Sequence, residues 1–195
     1  RNNMEVEGVW RMPEAQIDRF MIGIEMKYPT ETEEIELIDR TTGNRVLEAQ
    51  QILAPQVILE MQAFAKAVLV VPSLKRFALE IVRFSRPGDG APSELGQLIR
   101  MGASPRAAQA IILGAKVLAL VRGRLYVTRK DIKSMALPVL EHRIVLDFRA
   151  ASAGLTAREL IRRLISAAEL ARFPASMYGG SQKQLLMSAP LQAWK

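Results

Sequence analysis

Residues 2–20, NNMEVEGVWRMPEAQIDRF, are the stretch of this sequence from which its fold can be inferred. The run is polar at first, mixes charge with an aromatic residue and Pro13, and leads into the apolar residues 20–26. Their weak alternation predicts a β-strand, which Pro29 would end because proline cannot donate to a strand ladder. Since the run has no signal-peptide or transit-peptide character, we expect the sequence to begin in the middle of a domain.

The composition is that of a globular protein with a sizeable core. The chain has 195 residues, enough for one large domain or two small ones, and 49% of them are hydrophobic. With no Cys and one His, it has no disulfide framework and no thiolate metal site, and too few ligands for a zinc cluster. For the same reason we expect no metal site made by the side chains of this chain. Because no apolar run is long enough to span a membrane, we also expect a cytoplasmic protein that does not bind a membrane.

A formal net charge of +7 leaves several kinds of partner open. It is compatible with nucleic acid, an anionic membrane surface or a nucleotide, and it also simply favours solubility. The basic residues are scattered rather than clustered, so solvated helix faces explain most of them. They include Arg83, Arg86, Arg100, Arg106, Arg122, Arg124, Arg129, Lys130, Lys133, Arg158, Arg162 and Arg163.

Downstream of residue 29 the sequence predicts a series of helices separated by loops. Thr30 and Glu33 form a capping-box pattern for a helix that ends near Gly43. Pro55 suits the first position of the next helix, and Ser73 is placed to cap a third. Further predictions are an extended piece over 68–71, a loop over 86–93 and a short helix over 94–101.

Residues 102–107, GASPRA, predict the start of a long apolar helix that runs to Gly123. Ser104 is placed as the N-cap, and Pro105 suits the first turn. Arg106 stands in that turn, where a helix already attracts anions and where a cation is locally unfavourable. Two interpretations follow: the guanidinium binds an anionic partner, or it reaches back to a nearby carboxylate.

The last third of the chain predicts two more capped helices. Thr128 with Asp131 and Thr156 with Glu159 are the caps, and Pro138 is expected to kink or end the first of the two helices. The lone histidine, His142, follows this helix. We expect it to pack or to form a hydrogen bond there, because no nucleophile or carboxylate constellation accompanies it.

The run at residues 2–20 resembles the MoxR branch of the AAA+ ATPases, whose pattern is roughly N-P-I-E-x-E-G-T-Y-P-L-P-E-A-Q-L-D-R-F. The matching residues are Asn2, Glu5, Glu7, Gly8, Pro13, Glu14, Ala15, Gln16, Asp18, Arg19 and Phe20. Two later stretches are also similar to motifs of this family. Residues 102–107 resemble its sensor 2 motif, G-A-S-P-R-A, and residues 138–143 resemble P-V-L-x-H-R.

The resemblance implies roles for three residues. Asn2 corresponds to sensor 1, which orients the attacking water near the γ-phosphate. Arg19 corresponds to the arginine finger, which acts on the nucleotide of the neighbouring subunit, and Arg106 to sensor 2, which contacts the γ-phosphate in its own subunit. A planar, always charged guanidinium suits the negative charge that spreads over the γ-phosphate oxygens during phosphoryl transfer.

The resemblance also implies the architecture: a mostly α chain in which the end of an α/β P-loop AAA+ core, with its last strand, is followed by an all-helical lid. We expect residues 1–42 to end the nucleotide-binding core, residues 43–171 to form the lid, and residues 172–195 to form a tail that is mobile or binds a partner. The motif G-x-x-x-x-G-K-[ST] does not occur in the sequence. We therefore expect the P-loop, and with it the groups that hold ATP and Mg²⁺, to precede Arg1, and this chain alone to be inactive.

By the same resemblance, the whole protein would be an ATP-hydrolysing chaperone. It would assemble as a homo-oligomeric ring, a hexamer, because a finger that acts in trans needs a neighbour. Its clients would be proteins with a von Willebrand factor A domain or metal-cofactor enzymes.

Two other functions stay open from the residues alone. One is a basic helical nucleic-acid-binding module, although the sequence shows no recognition helix, aromatic stacking motif or basic stripe. The other is a non-catalytic interaction adaptor with a degenerate ATPase half.

Overall fold

The computed structural model describes residues 12–43, 50–88 and 92–171. The predicted sensor 1 residue, Asn2, and the tail predicted over 172–195 lie outside these ranges. The domain boundaries expected at residues 42 and 171 stay predictions.

The described residues confirm a mostly α-helical fold. The helices among them are α1 (Glu14–Ile17), α2 (Glu31–Thr42), α3 (Pro55–Ala67), α4 (Pro72–Phe84), α5 (Ser93–Gly96), α6 (Pro105–Val121), α7 (Arg129–Leu140), α8 (Phe148–Ser152) and α9 (Ala157–Leu170). The strands among them are β1 (Ile99–Met101) and β2 (Val145–Leu146). The chain divides into two compact units, one made of Arg1–Gly23 with Val68–Lys195 and the other of Ile24–Ala67.

The unit that contains α2 and α3 confirms two of the predicted helix starts. The N–H and the hydroxyl of Thr30 both donate to the carboxylate of Glu33 at 2.8 Å, which completes the capping box of α2. α3 begins at Pro55, since proline is favourable at the first helical position. Large apolar side chains on both helices are more than half exposed, Leu37 at 57% and Phe64 at 58%.

The core of the other unit lies between α4, α6, α7 and α9. On α4 and α9 the buried residues recur at spacings of three and four, which places them on one face of each helix. They are Leu74, Phe77, Ala78, Ile81 and Val82 on α4, and Leu160, Ile161, Leu164, Ile165, Ala167 and Ala168 on α9. α6 buries mostly small residues, and a Cβ added at Gly114 would lie 2.5 Å from the terminal methyl carbon of Met135 on α7. α6 and α7 therefore pack closely against each other.

A small sheet corrects the expectation of an all-helical lid. β1 pairs with β2 in the antiparallel sense, with Ile99 opposite Leu146. The short helix predicted over 94–101 is therefore wrong at its end, because it stops at Gly96 and the next residues extend into β1. β1 was not predicted because its pairing partner lies more than 40 residues further along the chain.

The β-strand predicted over residues 20–26 is wrong: this segment belongs to no sheet in the described part of the chain. Its backbone groups bond elsewhere. The N–H of Gly23 donates to the carbonyl of Pro138 at 2.9 Å, and two carbonyl oxygens of the segment accept from the side chain of Arg143. Side-chain and loop hydrogen bonds thus replace the strand ladder that the alternation suggested.

Two predicted helix ends also differ from the structure. α4 begins at Pro72 with Val71 as its N-cap, so Ser73 lies inside the first turn and does not cap the helix. Pro72 is favourable at this first position because the N–H that proline lacks would have no partner within the helix. α7 runs to Leu140 with Pro138 inside it, so Pro138 does not end the helix, and the alternative expectation of a kink stays a prediction.

Asp131 is fully buried, which its capping pattern alone did not indicate. Its carboxylate accepts from the N–H of Thr128 at 2.8 Å, as predicted, and it also pairs with Arg122 at 2.9 Å and Arg124 at 2.8 Å. The hydrogen bonds from Arg124 lower the pKa of Asp131 far below its ordinary value, and they outweigh burial, which would raise it. One carboxylate therefore holds the end of α6 to the start of α7.

Replacing Asp131 with Asn should destabilise the fold by about 2–3 kcal/mol, because two guanidinium groups lose a buried counter-charge while keeping part of their hydration. Glu169→Gln is the matched control, since it removes only the surface ion pair with Lys133 and should cost under about 1 kcal/mol. Urea unfolding at neutral pH measures both variants. Equal losses in the free energy of unfolding of the two variants would contradict the importance of the buried carboxylate.

The same variant has an expected pH dependence. Because the folded-state pKa of Asp131 is lowered, its contribution is complete above the unfolded pKa of about 3.9 and is lost as the pH falls through the lower folded value. The stability difference between the parent and Asp131→Asn should therefore be constant from about pH 5 to 7 and shrink only in stronger acid.

Candidate functional site

The start of α6 is built as the sequence predicts. Ser104 has an extended backbone, and its hydroxyl accepts from the N–H of Arg106 at 3.2 Å, so it is the N-cap. Pro105 occupies the first helical position. Arg106 consequently lies in the first turn, and its side chain is 58% exposed.

Gly102 is required by the close approach of this chain segment to the end of α4. A Cβ at Gly102 would lie 2.0 Å from the carbonyl oxygen of Ser85 and 2.9 Å from the Cα of Arg86. Hydrogen bonds hold the approach: the N–H of Ala103 donates to Ser85 Oγ at 3.1 Å, and Arg86 Nε donates to the carbonyl of Ala103 at 2.9 Å. The start of α6 is thus anchored to the C-terminal end of α4.

The carboxylate of Asp18 connects the segment after α1 to the start of α6. Its Oδ2 accepts from the hydroxyl of Ser104 at 2.6 Å, and its Oδ1 accepts from the N–H of Ser104 at 3.4 Å. Two guanidinium groups lie beside it, with Arg143 Nε 3.3 Å from Oδ1 and Arg106 Nη1 3.6 Å from Oδ2. A single carboxylate is therefore shared by a helix cap and two cations.

Asp18 is ionised at neutral pH. Partial burial alone would raise the pKa of Asp18. The hydrogen bonds from Ser104 and the charges of Arg143 and Arg106 outweigh burial and bring the pKa below its ordinary value. Among these contacts, the Arg106 pair lies on the solvent side and contributes little stability by itself.

Arg143 is buried at the end of α7 and holds the segment that follows α1. Its Nη2 donates to the carbonyl of Asp18 at 3.0 Å and also to the carbonyl of Phe20, and its Nη1 donates to the carbonyl of Met21 at 3.2 Å and to that of Val139. Burial lowers the pKa of Arg143, while the charge of Asp18 partly restores it. The group nevertheless stays protonated, because an arginine pKa begins far above neutrality.

His142 binds the same segment. Its Nε2 lies 3.1 Å from the carbonyl oxygen of Phe20, and since a carbonyl can only accept, Nε2 carries the proton. The ring packs on Gly23, where an added Cβ would come within 3.0 Å of Nδ1. Burial lowers the pKa of His142, and the charge of Arg143 lowers it further, so the ring is neutral at pH 7. His142 therefore has the packing and hydrogen-bonding role expected of it.

The structure places two of the three predicted site residues. Arg19 is exposed, and its side chain has no hydrogen bond or ion pair with any residue of the described ranges. Arg106 faces Asp18, the residue next to Arg19, so the second of the two interpretations of Arg106 describes its present contact. Asn2 lies outside the described residues, and its role stays a prediction.

Sequence reasoning missed two residues of this site, Asp18 and Arg143. Both lie within motifs that carry the family resemblance, but neither was given a function. The only available signal was the order of these motifs along the chain, since Asp18 and Arg143 are 125 positions apart.

Neither a metal centre nor a membrane span is found in the part of the chain that the structure describes. Within 12–43, 50–88 and 92–171, no three His, Asp or Glu side chains are grouped so that they could hold a metal ion. None of the helices described there is both long enough and apolar enough to cross a membrane.

Comparison with known proteins identifies relatives over almost the whole chain. Residues 95–164 match the family model of the AAA lid domain. The chain is 34% identical over 194 residues to the chaperone MoxR1 of Mycobacterium tuberculosis, a match that covers 99% of this chain and 51% of that protein. It is 27% identical over 159 residues to the protein MoxR of Paracoccus denitrificans, covering 75% of this chain and 47% of that protein.

A crystal structure gives the same result at the level of the fold. The chain is similar to a candidate ATPase from Cytophaga hutchinsonii with a TM-score of 0.74 and 32% sequence identity, over 85% of this chain and 51% of that chain. The chain thus spans about half the length of each of these relatives.

Gly102→Ala should destabilise the fold by about 2 kcal/mol or more, because the new methyl group overlaps the backbone of Ser85, which cannot rotate away as a side chain can. Thermal unfolding followed by circular dichroism measures the loss. A melting temperature equal to that of the parent would show that the two segments do not approach as closely as described.

Ser104→Ala should loosen the contact between Asp18 and α6, since it removes both the 2.6 Å hydrogen bond and the helix cap. We expect a loss of about 1–2 kcal/mol and faster amide hydrogen exchange over residues 16–23. Ser73→Ala, in the exposed first turn of α4, is the control and should change neither quantity. Unchanged exchange over residues 16–23 in Ser104→Ala would contradict the link.

Proposed function

The chain belongs to the MoxR family of AAA+ ATPases and carries an AAA lid domain, and we propose that it supplies the arginine finger and both sensor residues of an ATP-hydrolysing ring. In this proposal Arg19 acts on the nucleotide of the neighbouring subunit. Arg106 contacts the γ-phosphate bound by its own subunit, and Asn2 orients the attacking water.

The observation that carries this proposal is the common environment of Arg19 and Arg106. Asp18, which precedes Arg19, accepts a hydrogen bond from Ser104, the N-cap of the helix that carries Arg106. Both arginine side chains are nevertheless accessible to an external anion, because Arg19 is exposed and Arg106 is 58% exposed. The proposal requires this exposure, because Arg106 would meet a phosphate of its own subunit and Arg19 a phosphate of the neighbouring subunit.

The contact between Arg106 and Asp18 can be exchanged for a phosphate at little cost. The two groups are 3.6 Å apart on the solvent side, and exposed pairs of this kind contribute at most about 1 kcal/mol. A phosphate oxygen would meet the forked donors of the guanidinium at the N-terminal end of α6, where the helix dipole also favours an anion. Each of these donors favours an anion, so Arg106 gains more from a phosphate than it loses from Asp18.

This sequence contains no P-loop motif, so we propose that ATP and Mg²⁺ are bound mainly by another part of the protein. That part would hold the β- and γ-phosphates and the metal ion. The residues described here would add positive charge at the γ-phosphate from two directions. Since phosphoryl transfer is catalysed mainly by positioning and by electrostatic stabilisation, such positive charge would lower the activation barrier of ATP hydrolysis.

The proposal extends to the whole protein. A finger that acts in trans requires a neighbouring subunit, so we propose a closed homo-oligomeric ring, a hexamer. Residues 1–42 would end the nucleotide-binding core and residues 43–171 would form the lid. The ring would use ATP hydrolysis to remodel client proteins in the cytoplasm, including proteins with a von Willebrand factor A domain. The similarity to the chaperone MoxR1 of Mycobacterium tuberculosis supports the remodelling role.

In the full-length protein, Arg19→Ala should lower kcat for ATP hydrolysis by about 10³-fold, the range measured for arginine fingers, with little change in melting temperature. Arg106→Ala should also remove most of the turnover. Arg163→Ala, an exposed arginine on α9, is the control and should hydrolyse ATP at the parental rate. Near-normal turnover in both Arg19→Ala and Arg106→Ala would reject the assigned roles.

A further inference from the structure

Arg143 is the most deeply buried cation of this site, with 3% of its surface exposed. A guanidinium has five N–H groups in a fixed plane, and here its two terminal nitrogens donate to four backbone carbonyl oxygens. Three of the four carbonyl oxygens that accept from it belong to Asp18, Phe20 and Met21, and only one, that of Val139, belongs to its own helix. Most of the hydrogen bonds that Arg143 donates therefore go to the residues that flank Arg19.

A side chain that only filled space at this position would not need a guanidinium group. Filling the space at the end of α7 requires only volume, which an apolar side chain of similar size supplies without the penalty of burying a charge. The planar fork instead fixes several carbonyl oxygens relative to one another, which a point charge or an apolar group cannot do. The contacts that Arg143 makes thus define the backbone path on both sides of Arg19.

The same guanidinium also reaches the carboxylate that contacts the start of α6. Arg143 Nε lies 3.3 Å from Asp18 Oδ1, while Oδ2 of that carboxylate accepts from the hydroxyl of Ser104. The backbone around Arg19 is therefore held against the helix that carries Arg106. A shift of Arg143 would displace the first of these two arginines with respect to the second.

We propose that Arg143 is a positioning residue for ATP hydrolysis, which acts through Arg19 by holding the carbonyl groups of residues 18–21. This role rests on the proposed function of Arg19 as the arginine finger. Arg143 touches neither the nucleotide nor the reacting atoms. Its effect is therefore on the geometry of the finger, and it should appear in kcat rather than in the affinity of a subunit for its own nucleotide.

The first test is a double-mutant cycle in the full-length protein, with ATP turnover, KM and melting temperature measured for each variant. Arg143→Met keeps most of the volume and removes the donors. We expect it to lower kcat at least 10-fold and to leave KM within about 2-fold of the parent. Since Arg143 acts through Arg19, the double variant Arg143→Met, Arg19→Ala should be no slower than Arg19→Ala alone.

The control for a general effect of losing an arginine near α7 is Arg158→Met. Arg158 pairs with Glu141 at 3.1 Å at the same end of α7, on the solvent side. Its guanidinium donates to the carboxylate of Glu141, and we expect parental turnover. If Arg143→Met does not fold, Arg143→Lys takes its place in every arm, because it keeps the charge but cannot hold several carbonyl groups in one plane.

The second test uses the fact that a finger acts across a subunit boundary. Subunits carrying Arg143→Met would keep a competent Arg106, and subunits carrying Arg106→Ala would keep a competent finger. In rings mixed at equal amounts, about one quarter of the interfaces would then combine both competent groups, and turnover should rise well above that of either variant alone. A defect of Arg143→Met in its own nucleotide site would not be complemented in this way.

The outcomes separate this inference from the function on which it rests. Parental turnover in Arg19→Ala would overturn both. If Arg19→Ala is inactive, three results would overturn the role of Arg143 alone: parental turnover in Arg143→Met, a double variant slower than Arg19→Ala, or no recovery in mixed rings.

Discussion

The site depends on the burial of one guanidinium, that of Arg143. A buried charge needs acceptors and a counter-charge, and here residues 18–21 supply three of the four carbonyl groups that accept from Arg143 together with the carboxylate of Asp18. The segment after α1 and the end of α7 are therefore mutually required. Without the segment the charge would be unpaired, and without the charge the carbonyl groups of the segment would need other partners.

This requirement explains the conformation of the residues around Arg19. Their carbonyl groups are occupied by a side chain, and the N–H of Gly23 is occupied by the carbonyl of Pro138. No ladder with a neighbouring strand is needed to satisfy them. The side chain of Arg19 is exposed, although the residues on either side of it are held by hydrogen bonds.

The position of Arg106 follows from a second constraint, the close approach of the chain at Gly102. The backbone of this residue lies against that of Ser85, and Ser85 Oγ accepts from the N–H of Ala103. The first turn of α6 is thereby fixed to the end of α4, which belongs to the central core. Asp18 then joins this turn to the segment held by Arg143. The two arginines proposed to meet phosphate are in this way carried by a common, well-packed framework.

Much of the local structure could be predicted from the sequence, because a cap and its partner lie only two or three positions apart. Thr30 with Glu33, Ser104 with Arg106 and Thr128 with Asp131 all form the predicted contacts. The order of the motifs at residues 2–20 and 102–107 also determined the family. The strand over 20–26 was wrong and β1 was missed, since in both cases the partner groups lie far along the chain.

The sequence by itself thus determined most of the longer helices, the caps at which several of them begin and the family to which the chain belongs. Only the tertiary structure decided that Asp18 bonds to Ser104 across 86 positions and that Arg143 holds the carbonyl of Asp18 across 125. The physical reason is the range of the interaction. A hydrogen bond within one helical turn imposes a spacing on neighbouring residues, whereas a bond between distant segments depends on how a whole core packs and imposes no spacing that a single sequence could show.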